Sequence, residues 1–359
     1  MRPVRPRRLS RPVQIGSVTV GGGAPVSVQS MTKTDTRDVR ATVEQIAQLA
    51  DAGCDIVRLA IPDMEAAEAL ARIRKGSPVP LVADIHFDYR LAIAAIDVGV
   101  DGLRLNPGNI RRPEYLAKVV NSARERQIPI RIGVNAGSVP PNFRPDEPMA
   151  QRMVALAVEQ ASVLERLDFD LIKVSLKASD VLTTIAAYRL MAERCPYPFH
   201  VGVTEAGTPM TGAVRSAVGI GVLLNEGIGD TIRVSLSGDP VLEVDVGREL
   251  LRSLGLLAQG PTIISCPTCG RTKLDVPRLA AMTQEHVRGI NAPIRIAIMG
   301  CTVNGPGECR HADVGLAGGE GKVSLYYRGE FSRSVPVGDA FSALVAAIDA
   351  VVAATDNRP

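Results

Sequence analysis

The sequence predicts an α/β chain, a (β/α)8 TIM barrel over residues 1–258 followed by a small α+β domain over 259–359, and three observations carry that prediction. From Val26 to about residue 238 one pattern recurs eight times: a β-branched run, a turn rich in Gly, Asn or Pro, then an amphipathic stretch rich in Ala and Leu. The runs start 22 to 42 residues apart, the spacing of parallel strands joined by helical crossovers. Finally, the pattern breaks at AQGPTIISCPTCG, after which short strands and helices follow a different rhythm.

In chain order the strand runs are VSVQSM from Val26, DIVRLAI from Asp55, PLVADIHF from Pro80 and GLRLNP from Gly102, then PIRIGVNA from Pro129, LIKVSLKA from Leu171, FHVGVTEAG from Phe199 and TIRVSLSG from Thr231. Helical patterns follow, as at 65–74, 114–126 and 213–227, and the last barrel helix is expected over 241–257. Beyond the boundary, strands are expected at 261–265, 294–300, 314–317 and 322–327, with helices near 276–287 and 338–354. The five arginines among residues 2 to 11 read as a solvated, mobile arm over 1–12.

Side chains alternate faces along a strand. Ile130, Ile132 and Val134 oppose Arg131, Gly133 and Asn135, while Ile172, Val174 and Leu176 oppose Lys173, Ser175 and Lys177. The apolar set is expected against the helices, which leaves a polar barrel interior. The C-terminal strand ends, where such barrels place their active sites, carry Gln29, Arg58, Asp84, His86, Arg104, Asn106, Arg131, Asn135, Lys177, Glu205, Arg233 and Ser235. Five strands thus aim a cation, Arg58, Arg104, Arg131, Lys177 or Arg233, at one mouth. Guanidinium forks suit phosphate oxygens, so the pattern points to a small polyanion such as a diphosphate. The other reading is internal pairing with Asp84 and Glu205. Glu205 itself reads either as a general acid or base or as charge balance.

The 41 Lys and Arg against 38 Asp and Glu give a net charge of +3, and Phe and Tyr total twelve with no Trp, which argues against nucleic acid. No run approaches ~18 unbroken apolar residues, and the start has no apolar signal core, so the expectation is a cytoplasmic protein without a membrane span. Six cysteines in this length do not make a disulfide framework. Instead Cys266-Pro-Thr-Cys269 and, 31 intervening residues later, Cys301 form a thiolate bite for either an iron–sulfur cluster or a structural zinc. Glu308 offers an oxygen ligand and Cys309 a fourth thiol. Cys54 and Cys195 read as packed thiols.

The segments VSVQSMT, PLVADIHFDYR, RLNPGNI, IPIRIGVNAGS, KVSLKASDV, GVTEAGTPMTGAV, LLNEGIGDTIRVSLSGDP, CPTCGR and MGCTVNGPGE together resemble the bacterial 4-hydroxy-3-methylbut-2-enyl diphosphate synthase family, from about Arg8 to the last helix. The resemblance implies an iron–sulfur reductase of the methylerythritol phosphate route, opening and dehydrating 2-C-methyl-D-erythritol 2,4-cyclodiphosphate with two electrons from flavodoxin or ferredoxin. By motif position it implies a 4Fe-4S cluster on Cys266, Cys269, Cys301 and Glu308. It places the diphosphate on Arg58, Arg104, Asn106, Arg131, Asn135, Lys177 and Ser235, with Glu205 as acid/base carboxylate. It also implies a homodimer in which the cluster domain of one subunit covers the barrel of the other.

Two positions depart from the family pattern. Cys309 stands where a small residue is usual, and the segment VPPNFRPDEPMAQ after Ser138 replaces a more charged loop. Two further readings compete: a pterin-binding barrel transferase with a zinc-stabilised appendage, and a non-catalytic zinc-bearing interaction protein.

Overall fold

Eight parallel strands make the first unit: β1 (Ser27–Met31), β2 (Ile56–Ala60), β3 (Leu81–Asp84), β4 (Gly102–Arg104), β5 (Ile130–Asn135), β6 (Ile172–Lys177), β7 (His200–Val201) and β8 (Thr231–Ile232). In the computed structural model, which describes residues 6–110 and 112–356, the chain divides into Met1–Leu257 and Ala258–Pro359. β1 pairs with β8 as well as β2, and a bridge between Val174 and Phe199 joins β6 to β7, closing the ring. Between the strands run α1 (Val39–Asp51), α2 (Met64–Gly76), α3 (Tyr89–Val98), α4 (Pro113–Glu125), α5 (Met149–Glu165), α6 (Val181–Ala192), α7 (Pro209–Asn225) and α8 (Pro240–Ser253). Asp38, Asp63, Asp88, Asp180 and Asp239 cap five of these helices by accepting a first-turn backbone N–H, each worth about 1 kcal/mol.

Ile130, Ile132, Val134, Ile172, Val174 and Leu176 pack outward with the helices in one core. Both faces of β6 are nonetheless buried, because the inward set fills the ring with Lys173, Ser175 and Lys177. The sequence runs for β7 and β8 are longer than their ladders, which stop at Val201 and Ile232. Gly202 explains the close crossing there: a Cβ at this position would overlap the Arg233 carbonyl oxygen.

The expectation of a solvated arm over 1–12 is corrected from Arg7 onward; residues 1–5 lie outside those described. Arg8 donates to the Cys195 carbonyl (2.9 Å) and to that of Tyr197, and its guanidinium lies 4.0 Å from the centre of the Phe199 ring. Arg7 pairs with Asp230 at 3.3 Å, and Ser10 donates to the same carboxylate at 3.0 Å. The arginines thus find carbonyls, a ring face and one carboxylate at the start of the strands. A hairpin (Val13–Ile15 with Val18–Val20) that the periodicity did not predict follows the arm. It packs Val13, Ile15 and Val20 on Ile56 and Val82, making an apolar barrel floor.

The second unit is a five-stranded sheet in the order β9 (Thr262–Ser265), β10 (Arg295–Met299), β11 (Val314–Gly318), β12 (Lys322–Tyr327), β13 (Glu330–Pro336). The first three strands are parallel and the last two form an antiparallel hairpin. Helices α9 (Val276–His286) and α11 (Ala340–Asp356) pack with Ile296, Ile298, Leu316 and Leu325 on one face. Short α10 (Gly305–Cys309) sits with Ala297, Met299 and Ala317 on the other. The edge strand β13 was not expected, since only Val335 in it is buried. Among the described residues one segment, Val337–Thr355, is long and apolar enough by length and composition to cross a membrane; it carries Asp349 and packs Leu344, Ile348 and Val351 into the sheet's core.

Candidate active site

The mouth of the barrel is a cavity of about 190 Å³ lined by Arg58, Asp84, His86, Arg104, Arg131, Asn135, Ser175, Lys177, Thr204, Arg233 and Ser235. All five sequence-predicted cations reach it, each from a different strand or strand end. A wider depression of about 630 Å³ lies over the loops after β3 and β4, between Phe87, Tyr89 and Tyr115, but it carries no such convergence of charge.

One carboxylate organises part of the cavity. Asp84 lies 3.6 Å from Arg58, 3.4 Å from Arg104 and 3.5 Å from His86. Burial alone would raise its pKa, but Arg58, the His86 hydrogen bond and Arg104 together hold the carboxyl well below the usual range. Burial, Arg233 and Arg104 push Arg58 down to about 10 against the pull of Asp84. Glu243, from α8, is 3.5 Å from Arg233 and 3.2 Å from Lys33.

Among the described residues no carboxylate stands within ion-pair distance of Arg131 or Lys177. Burial and the surrounding cations press both far below their ordinary values. Arg131 has one weak partner, the Gln29 side-chain oxygen at 3.4 Å, and its Nε has none. A nest of this kind is built for an anion, because buried donors and cations without partners are costly.

Three predicted residues sit differently from the rest. Asn106 is buried, but its Oδ1 accepts the Gly133 N–H at 3.0 Å, so it shapes the β5 wall and does not line the cavity. Glu205 follows the lining residue Thr204 on a turn with φ of 53° and is exposed at the surface. Gln29 lies beneath the cavity as the Arg131 partner. Sequence reasoning missed Ser175 and Thr204 as lining residues. The inward alternation of β6 already marked Ser175, whereas Thr204 lies beyond the end of its ladder.

In the second unit, Cys266 follows β9 and Cys301 follows β10, adjacent parallel strands whose C-terminal ends are held together by the Cys266 N–H bond to the Ile298 carbonyl (2.9 Å). Thr272 bonds both ways with Cys269, and Lys273 N–H bonds the Gly300 carbonyl at 2.8 Å, folding the Cys266–Lys273 loop over the Cys301 turn. Backbone N–H groups face the sulfurs: Thr268 N lies 3.4 Å from Cys266 Sγ, and those of Val303 and Asn304 lower the Cys301 pKa. Such donors suit a thiolate ligand. Glu308 is exposed on α10, while the next residue, Cys309, is fully buried against Gly315 and pushed up to about 12 by burial. Among the described residues no three acidic, His or Cys side chains converge on one ion position.

Comparison with known proteins gives consistent matches. The GcpE TIM-barrel domain matches residues 10–248 and the GcpE protein C-terminal domain matches 262–350. A 4-hydroxy-3-methylbut-2-en-1-yl diphosphate synthase (flavodoxin) from Dehalococcoides mccartyi is 58% identical over 94% of this chain and 97% of that protein. One of the same name from Geobacter sulfurreducens is 54% identical over 96% and 98%. Among solved structures, the barrel resembles 3-dehydroquinate dehydratase from Geobacillus kaustophilus (TM-score 0.51, 14% identity, 69% of this chain, 98% of that one) and dihydropteroate synthase from Xanthomonas albilineans (0.50, 14%, 69%, 99%). At that identity these two show the fold alone.

Proposed function

Because the chain belongs to the GcpE family of 4-hydroxy-3-methylbut-2-en-1-yl diphosphate synthases, with full-length relatives at 50–58% identity, we propose how its own residues carry that reaction. It is an oxidoreductase of isoprenoid precursor synthesis: 2-C-methyl-D-erythritol 2,4-cyclodiphosphate is reductively opened and dehydrated to 4-hydroxy-3-methylbut-2-enyl diphosphate. In our reading the diphosphate sits in the barrel cavity, and the observation that carries this is the pair Arg131 and Lys177, buried there without a carboxylate partner among the described residues. Arg58 and Arg233 flank them, Asn135 and Ser235 add neutral donors, and Ser175 and Thr204 complete the wall.

Asp84 holds Arg58 and Arg104 in place before the ligand arrives, so little reorganisation is needed on binding. Asn106 acts through the wall by fixing Gly133. Glu205, at the rim one residue beyond Thr204, is the carboxylate we assign to proton delivery at the departing hydroxyl.

Cys266, Cys269, Cys301 and Glu308 would hold a 4Fe-4S cluster, and the N–H groups directed at Cys266 and Cys301 fit that donor set. When bound, such a cluster supplies single-electron transfer and an electrophilic iron. Burial of Cys309 against Gly315 favours Glu308 as the fourth, exchangeable ligand. Electrons would come from flavodoxin, the donor in the relatives' name, or a ferredoxin. We place the cluster domain over the barrel of a second subunit in a homodimer.

The test is anaerobic purification with iron and sulfide analysis and a visible spectrum of wild type, C301S and C309S. About four irons and four sulfides per chain, lost in C301S and kept with an unaltered spectrum in C309S, are expected. A changed C309S spectrum would replace Glu308 by the thiolate, and stoichiometric zinc in a colourless protein would overturn the cluster assignment.

A further inference from the structure

Beneath the anion cavity lies a layer of inward-facing groups that binding at the mouth leaves unused. Lys173 on β6 stands in register with Arg131 on β5, and each is 3% exposed. At the same end of the barrel, Thr231 on β8 is in register with both His200 on β7 and Ser27 on β1. Lys173 Nζ, Arg131 Nε, both His200 ring nitrogens, the Ser27 and Thr231 hydroxyls and Gln29 Nε2 are all buried without a hydrogen-bond partner among the described residues.

The carboxylates nearby are committed elsewhere. Asp84 serves Arg58 and Arg104, and Glu243 serves Arg233 and Lys33. Asp230 accepts from Arg7, Ser10 and the Phe199 N–H. Among the described residues none reaches Lys173. The floor below is apolar, built of Ile15, Ile56 and Val82.

A guanidinium does not surrender its proton in a protein, so relief of this uncompensated charge falls to the lysines. Lys177 lines the cavity and would meet a bound anion directly, whereas Lys173 does not line it.

We infer that Lys173 balances the charge of the bound diphosphate from below: its amine is without a proton while the cavity is empty and takes one from solvent when a diphosphate fills it. This rests on the reading of the barrel mouth given above. The charged and titratable groups facing Lys173 are Arg131 on β5, Arg58 on β2, His200 on β7 and Asp230 ahead of β8. Burial, Arg131 and Arg58 push the amine far down and only Asp230 opposes them. His200 is pressed towards its neutral form by burial, Lys177 and Arg131. An anion laid against Arg131 and Lys177 offsets the positive field at Lys173, and a proton follows by linkage.

The test is titration calorimetry of the full-length protein with inorganic diphosphate at pH 8, in two buffers of different ionisation enthalpy, for wild type, K173M and K173R. Wild type is expected to take up about one proton more per diphosphate than either variant, because methionine cannot bind one and arginine already holds one. Equal proton counts in all three would overturn the Lys173 inference while leaving the diphosphate site standing. No binding to wild type would overturn the barrel reading and the inference with it. If neither variant folds, wild type still decides: no net uptake once the ligand's own protons are counted refutes the inference, and uptake greater than the one proton that Lys177 can take supports it.

Discussion

Gly202 gives the sharpest mechanical test of the cavity. In G202A the new Cβ overlaps the Arg233 carbonyl oxygen and stands 2.8 Å from Lys177 Nζ, where ordinary contact begins near 3.4 Å. The ammonium must therefore retreat by at least 0.6 Å, and the crossing of β7 and β8 must open as well. Overpacking of this kind costs about 1–3 kcal/mol, and a displacement approaching 1 Å at a binding group costs up to ~100-fold in rate. We expect kcat/KM to fall about 10- to 100-fold with a lower melting temperature, and the visible spectrum of the proposed cluster unchanged because Cys266, Cys269 and Cys301 lie in the other unit. G221A is the control: its Cβ meets nothing within 4 Å on α7, so it should be neutral or stabilising by up to ~1 kcal/mol. Steady-state kinetics and thermal unfolding of both variants decide the matter. A G202A enzyme indistinguishable from G221A would refute the geometry of the β7–β8 crossing and the role of Lys177.

R131A should raise KM about 10- to 100-fold, the worth of one charge-assisted hydrogen-bonding group, without lowering the melting temperature, since it removes a buried cation that has no counter-ion. A lower melting temperature with unchanged KM would mean that Arg131 is structural. D84N strips Arg58 and Arg104 of their carboxylate and should destabilise the free protein by about 3–5 kcal/mol. Because the folded state depresses the Asp84 pKa, that stabilisation is fully present above the unfolded value of about 4 and disappears as pH falls through the depressed one. Denaturant melts at neutral and acid pH should show the gap between wild type and D84N narrowing only in acid.

The barrel was readable because alternation within each strand leaves a mark in the sequence. Ile130 to Asn135 and Ile172 to Lys177 announce both the packing face and the polar interior, and the cations at strand ends follow from the same count. That count fails where the strands end early. Glu205 was placed as the residue that closes the β7 run, whereas the ladder stops at Val201 and Glu205 stands exposed on a left-handed turn beyond it. Asn106 obeyed the alternation, but its partner is the backbone of the next strand, a contact no local pattern records. The arm was misread for a related reason, since Arg7 and Arg8 look solvated until segments some 190 to 220 residues away come to meet them. Edge strand β13 escaped because an exposed ladder needs no apolar period.

That arm also bears on the order in which the chain is made. Its partners, from the Cys195 carbonyl to Asp230, are synthesised more than 180 residues later. Residues 7–10 are thus made before the barrel strands yet can settle only after the segments around β7 and β8 are in place. Until then the nascent barrel is an open sheet with two unpaired edges, β1 and whichever strand was added last, and exposed edges invite pairing with other chains. An extension fused ahead of Arg7 would burden this closing step, whereas one at the far end of the chain would leave it alone.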